Sequence, residues 1–219
     1  MHLKERTIQG LLAQKLLPLY YHDSPEVSSE ILKALYAAGI RMVEYTNRGT
    51  RALENFVQMK KAAASMPGMQ LGIGTIKTPE QANDFINAGA DYIVCPTVNP
   101  EVASVTHQAG LLWIPGCMTP TEIATAEQAG ATLVKIFPGN ILGPSYITAI
   151  KELFPGIRFM PTGGVEVEKE NLSTWFKSGV VAVGMGSKLV SKERIEGKRY
   201  GDIQKETEKA LALIREVAP

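Results

Sequence analysis

Five times in 219 residues the chain carries the same short junction: Ala38-Gly39-Ile40, Ala88-Gly89-Ala90, Ala109-Gly110-Leu111, Ala129-Gly130-Ala131 and Ser178-Gly179-Val180. Each follows a stretch with helical periodicity and precedes a β-rich run. A glycine just past a helix end takes the left-handed conformation without the clash a Cβ would bring, so the chain can leave a helix and enter a strand at once. The apolar runs are Leu16–Tyr21, Met42–Thr46, Gln70–Ile76, Tyr92–Pro96, Leu112–Gly116, Leu133–Phe137, Ile157–Pro161 and Val180–Met185. Near-continuous apolarity over such short runs suits parallel strands covered on both faces.

The runs start about 20 to 30 residues apart, room for one strand, one helix and two short loops. Eight such units in a row predict an α/β fold, a single-domain (β/α)8 TIM barrel. An open doubly wound sheet is the alternative. It usually carries a phosphate-binding glycine motif after its first strand. Here Tyr21 is followed by His22-Asp23-Ser24-Pro25-Glu26, which reads as a helix N-terminus. Thr78-Pro79-Glu80-Gln81 and Thr119-Pro120-Thr121-Glu122 are near copies of each other, each a capping threonine before proline with an acidic residue in the first turn. We expect one domain over residues 1–219, with an N-terminal helix at about 1–15 and a C-terminal amphipathic helix at about 200–217. No linker or low-complexity segment marks a boundary.

A net charge of +1, from 23 basic and 22 acidic residues, argues against a nucleic-acid partner. No run approaches the ~18 apolar residues of a membrane span. Cys95 and Cys117 lie far apart in apolar runs, which predicts buried, unpaired thiols and a cytoplasmic location. The three histidines, His2, His22 and His107, lack ligand spacing, so neither a metal nor a cofactor is expected.

In a barrel, functional groups gather at the C-terminal ends of the strands. The residues there are Glu44, Thr46 and Arg48; Gly74 and Thr75; Pro96; Lys135, then Phe137-Pro138; Thr162-Gly163-Gly164; and Gly184, Gly186 and Ser187. Lys135 is the lone charge in Leu133–Phe137, and Glu44 the lone charge in Met42–Thr46. An ordinary lysine amine (pKa ~10.4) is neutral in only roughly one molecule in 2,500 at pH 7. Burying an ammonium is costly, and that cost favours the neutral amine a nucleophile needs. A buried carboxylate nearby can shuttle protons. The same pair also reads as a structural ion pair, and Lys135 alone as a snorkelling side chain. Arg48 can grip a carboxylate or be a solvated loop residue. The glycines after the last two runs can cradle a phosphate with backbone N–H groups or serve as plain turns.

Five motifs, in order, carry a family resemblance: Val43-Glu44-Tyr45-Thr46-Asn47-Arg48, Gly72-Ile73-Gly74-Thr75, Ile114-Pro115-Gly116, Val134-Lys135-Ile136-Phe137-Pro138 and Pro161-Thr162-Gly163-Gly164. With them the chain resembles the class I 2-keto-3-deoxy-6-phosphogluconate / 4-hydroxy-2-oxoglutarate aldolases from about Leu11 to Val190. The resemblance implies a lyase that cleaves a 2-keto-3-deoxy-6-phospho sugar acid to pyruvate and glyceraldehyde 3-phosphate. It extends to 4-hydroxy-2-oxoglutarate, which would give pyruvate and glyoxylate. It makes Lys135 the Schiff-base lysine and Glu44 the general acid/base. Arg48 and Thr75 would hold the pyruvate carboxylate and its surroundings. Pro96, Phe137 and Thr162 would shape the pocket, and Gly163, Gly164, Gly186 and Ser187 would hold the substrate phosphate. It further implies a homotrimer whose partner is a small keto-acid phosphate, with no metal and no membrane.

The chain departs from the family pattern in three places, one of them a slightly longer Glu166–Val180 segment. Gly184-Met185-Gly186-Ser187 stands where adjacent glycines usually precede the serine. Gly139-Asn140-Ile141-Leu142-Gly143-Pro144 resembles the galactonate-type relatives, so a 2-dehydro-3-deoxy-6-phosphogalactonate substrate is the alternative. A phosphosugar epimerase or isomerase, using Glu44 and Lys135 only for proton transfer, is a further reading. So is a barrel that binds a sugar acid without turnover.

Overall fold

All five junction glycines have positive φ, from 71° at Gly110 to 109° at Gly179. Each ends a helix and leads into a strand. The computed structural model describes residues 3–218. Met1 and His2, at the start of the expected N-terminal helix, and Pro219 lie outside the described residues.

The chain runs α1 (Leu3–Gln14), β1 (Leu16–Tyr20), α2 (Pro25–Ala37), β2 (Met42–Thr46), α3 (Ala52–Ala63), β3 (Gln70–Gly74), α4 (Pro79–Asn87), β4 (Tyr92–Val94) and α5 (Pro100–Gln108). It continues with β5 (Leu112–Ile114), β6 (Gly116–Cys117), α6 (Pro120–Gln128), β7 (Leu133–Ile136), α7 (Gly139–Ile150) and a short 3-10 turn. It finishes with β8 (Arg158–Pro161), α8 (Lys169–Ser178), β9 (Val183–Met185), α9 (Lys192–Glu196) and α10 (Tyr200–Val217). The expected caps form: Ser24, Thr78 and Thr119 each accept a backbone N–H of the first turn through the side-chain oxygen. At α6 the Glu122 carboxylate answers the Thr119 backbone, completing a capping box.

Every strand pairing is parallel, and the strands form a curled α/β sheet system. Six strands follow the order β5-β4-β3-β2-β1-β9 and three follow β6-β7-β8. The eight expected runs are thus resolved as nine strands, because Leu112–Gly116 breaks at Pro115. Proline has no N–H to give to a ladder. The chain therefore changes partners there: Cys95 N–H donates to Ile114 O (2.9 Å), and Lys135 N–H donates to Pro115 O (2.8 Å). At the other seam, Val181 N–H donates to Phe159 O (3.0 Å), and Thr162 and Gly184 form an isolated parallel bridge.

Alternation along the strands divides the apolar side chains into two sets. Leu17, Met42, Tyr92, Val94, Leu112, Ile114, Leu133 and Met160 pack with one another and with Leu11 of α1. Their neighbours Leu16, Val43, Ile93, Trp113, Val134 and Phe159 pack outward under the helices. Helix α1 closes the end where the strands begin. Its Gln14 amide donates to Met42 O (2.9 Å) and accepts from Met42 N–H (3.0 Å), and Gln70 Nε2 donates to Thr7 Oγ1 (3.1 Å).

Both cysteines are buried and free. Burial pushes the thiols of Cys95 and Cys117 up to about 12. In the unfolded chain they ionise near ~8.5, so the stability they contribute is complete below that pH and is lost as pH rises towards about 12. Each thiol is expected to steepen the fall by about 1.4 kcal/mol per pH unit in that window. Thermal melts between pH 8 and 10.5 check this: a Cys95→Ala/Cys117→Ala variant starts lower but declines less steeply than the parent.

Candidate active site

Glu44 shares the parity of Met42, and Lys135 that of Leu133. Met42 and Leu133 both belong to the inner set, so both charged side chains turn inward, two residues nearer the C-terminal end. The two residues are 1% and 5% exposed. Lys135 Nζ lies 3.7 Å from Glu44 Oε1, ion-pair range but beyond a hydrogen bond. Among the described residues, neither carboxylate oxygen of Glu44 meets a protein hydrogen-bond donor. A buried carboxylate held this way has its hydrogen-bonding capacity open. Lys135 Nζ also stands 5.1 Å from the centroid of the Phe137 ring, which forms one wall beside the amine.

Glycines make room around these groups. A Cβ on Gly72 would run into the Tyr92 ring, whose hydroxyl donates to Val43 O (2.7 Å). A Cβ on Gly74 would overlap the Glu44 carboxylate, and one on Gly184 would overlap Thr162 Oγ1. Gly116, the register partner of Lys135, admits the Pro96 carbonyl in the same way. Thr162 is buried, and among the described residues its hydroxyl has no hydrogen-bond partner. Gly74 and Gly184, which the sequence places at strand ends, thus leave room for the Glu44 carboxylate and the Thr162 hydroxyl.

Beyond Thr162 the chain turns through Gly163 (φ 94°) and Gly164 (φ 71°). Asn171 Nδ2 and Trp175 Nε1 of α8 both donate to Gly164 O at 3.1 Å, which pins the turn. Gly139 N–H donates to Thr162 O (2.8 Å) at the start of α7. The Gly139–Pro144 segment is helical up to a break at Gly143 (φ 71°), ahead of Pro144. Gly186 and exposed Ser187 follow β9, and next to them Lys188 Nζ pairs with Glu166 Oε2 at 2.8 Å. That ion pair had no signal in the sequence, since its partners are surface charges in separate loops.

Thr75, directly after β3, is half-buried with φ 64°, a left-handed conformation that is strained for a β-branched residue. Arg48 is exposed in the turn after β2, and Pro96 is half-buried just past β4. The structure thus brings Glu44, Lys135 and Phe137 into one cluster and sets Thr162 beside Gly184. Arg48 and Ser187 stand on the rim at the same end of the strands.

A cavity of about 580 Å³ lined by Gln14, Lys15, Arg41, Leu211, Ile214 and Arg215 lies at the opposite end, where the strands begin. Its Arg41 is engaged with the carbonyls of Tyr36, near the end of α2, and Ile40, in the loop before β2. The buried Glu44–Lys135 pair lies at the other end, where the strands finish. Among the described residues, no three His, Cys, Asp or Glu side chains gather as a metal site, and no helix is long and apolar enough to cross a membrane.

The chain is similar in sequence and fold to known aldolases. The probable 2-dehydro-3-deoxy-6-phosphogalactonate aldolase of Rhizobium meliloti (strain 1021) is 32% identical over 192 residues, covering 86% of this chain and 85% of that protein. The 2-dehydro-3-deoxy-phosphogluconate aldolase of Treponema pallidum (strain Nichols) is 29% identical over 207 residues, covering 94% and 96%. The crystal structure of the KDPG aldolase of Legionella pneumophila, with pyruvate captured at low pH as a covalent carbinolamine intermediate, has a TM-score of 0.83 at 25% identity and covers 96% and 97% of the two chains. A family model described as aldolase, KDPG and KHG aldolase, matches residues 8–206. With nearly its whole length matched, this chain belongs to the KDPG and KHG aldolase family and is a carbon–carbon lyase.

Proposed function

We propose that the protein cleaves 2-dehydro-3-deoxy-6-phosphogluconate to pyruvate and glyceraldehyde 3-phosphate, with Lys135 as the Schiff-base residue and Glu44 as the proton carrier. One observation carries this reading: a buried amine 3.7 Å from a buried carboxylate whose oxygens have no protein donor. A purely structural ion pair would satisfy its carboxylate with further hydrogen bonds.

The Lys135 amine attacks C2 of the keto acid to form a carbinolamine, and loss of water leaves a protonated imine. The C3–C4 electron pair moves into that imine as the C4 hydroxyl proton passes to Glu44, directly or through water. The aldehyde departs and an enamine remains. Protonation at C3 and hydrolysis then release pyruvate and restore the amine. Arg48 and Thr75 hold the pyruvate carboxylate and its surroundings, while Pro96, Phe137 and Thr162 bound the pocket. The backbone of Gly163, Gly164 and Gly186, with Ser187, takes the phosphate.

The reading extends to an architecture and a setting. Counting β5 and β6 as one interrupted strand, the sheet closes as an eight-stranded barrel, supported by the Thr162–Gly184 bridge. The described residues form one domain, the free thiols suit the cytoplasm, and the protein assembles as a homotrimer, as the family resemblance implies.

The galactonate-type substrate is the second reading, favoured by the 32% identity to the Rhizobium meliloti protein. The two sugar acids differ at C4, and 4-hydroxy-2-oxoglutarate lacks the phosphate. Pyruvate release from all three decides among them. The gluconate substrate is expected to lead by roughly 10-fold or more in kcat/KM, ~1.4 kcal/mol in transition-state binding. The reverse order transfers the assignment to the galactonate acid, and release from none of them overturns it.

A further inference from the structure

Gly74 ends β3 at an inward position, and its backbone gives no reason for a glycine. It lies outside the left-handed region, pairs in register with Thr46, and accepts the Asn47 N–H at 2.8 Å. A glycine inside a strand weakens it and often marks a close approach. The next residue has the opposite mismatch: Thr75 holds φ 64°, where glycine would be at ease.

The close approach is that of Glu44. A Cβ on Gly74 would stand 2.8 Å from Glu44 Cγ, 2.6 Å from Cδ and closer still to Oε1. The space over Gly72, the register partner of Glu44, is taken by the Tyr92 ring. On its other side Glu44 faces Leu19 of β1. The arm therefore lies along β3 over Gly74, where its carboxylate comes within ion-pair range of Lys135.

We propose that Gly74 is a positioning residue for the lyase reaction: its missing Cβ is the space that holds the Glu44 carboxylate beside the Lys135 amine. This rests on the assignment of Glu44 as the proton carrier. Gly74 acts through Glu44, the side chain that occupies the space above it.

The test compares Gly74→Ala, Glu44→Asp and the double variant in pyruvate release from the phosphorylated sugar acid. In Gly74→Ala the carboxylate is displaced by an ångström or more. That is expected to lower kcat by roughly 10²-fold, with KM little changed and pyruvate still trapped on Lys135 by borohydride. Shortening the arm by one methylene in the double variant is expected to recover about 10-fold of that loss. Wild-type kcat in folded Gly74→Ala, or a double variant no better than the product of the two singles, overturns the proposal.

Should Gly74→Ala melt too low to assay, the melting temperature is compared with and without the Glu44 arm. Gly74→Ala is expected to depress it in the wild type and to have little effect in the Glu44→Ala background. An equal depression in both overturns the proposal. Wild-type turnover in Glu44→Gln would instead bring down the proton-carrier assignment, an outcome distinct from either result for Gly74.

Discussion

Lys135→Ala is expected to abolish the mass increase that the wild-type protein gains on incubation with pyruvate and borohydride. It is also expected to lower turnover by roughly 10⁴-fold or more, the scale on which an enzyme feels the loss of its covalent nucleophile. Lys135 is 5% exposed, lies 3.7 Å from Glu44 and is flanked by the Phe137 ring, so no neighbouring side chain on that strand can replace it. Truncation also leaves Glu44 as a buried charge without its partner, which costs about 3–5 kcal/mol of stability. Lys135→Arg separates the two effects. The guanidinium keeps the positive charge but stays protonated and cannot form the imine. Its melting temperature is expected to lie above that of Lys135→Ala, with equally little activity. Intact-protein mass and a thermal melt on each variant read both effects. A folded wild-type protein that gains no adduct would move the weight to an epimerase or isomerase that uses the pair for proton transfer alone.

Glu44→Gln is expected to lower kcat by about 10²- to 10⁴-fold while pyruvate is still trapped on Lys135. The amide keeps the length and volume of the carboxylate over Gly74, so the strand pairing of β2 with β3 is retained. What it loses is the capacity to accept the C4 hydroxyl proton. The two carboxylate oxygens meet no protein donor among the described residues, so the amide does not break an existing hydrogen bond. Steady-state kinetics beside borohydride trapping gives the answer. A parallel loss of adduct and turnover would mean that Glu44 serves mainly to hold Lys135. Loss of turnover alone assigns it to proton transfer.

Much of this was legible in the sequence because the signals are local. A helix end followed by Gly39 or Gly179 is decided within a few residues, as are the caps at Ser24, Thr78 and Thr119. Lys135 and Glu44 stood out as lone charges in apolar runs, because an unexplained charge in a buried strand is costly wherever the strand lies. The break at Pro115 was less visible. A proline closes a ladder only on the side where an N–H is needed, and that side depends on the neighbouring strands.

The tertiary structure alone decided which face of each strand is inside. Alternation defines two faces, but with helices covering one and the opposing strands filling the other, both are apolar. Only the packing of Met42 and Leu133 into one inner set turns Glu44 and Lys135 towards each other. Gly74 under Glu44 and Gly184 under Thr162 depend on the same packing. The order of strands and helices, and the two charges available for chemistry, follow from local patterns in the chain. The distance between those charges, and the empty Cβ positions that allow it, came from residues far apart in the chain, whose approach is set by strand register and not by local preference.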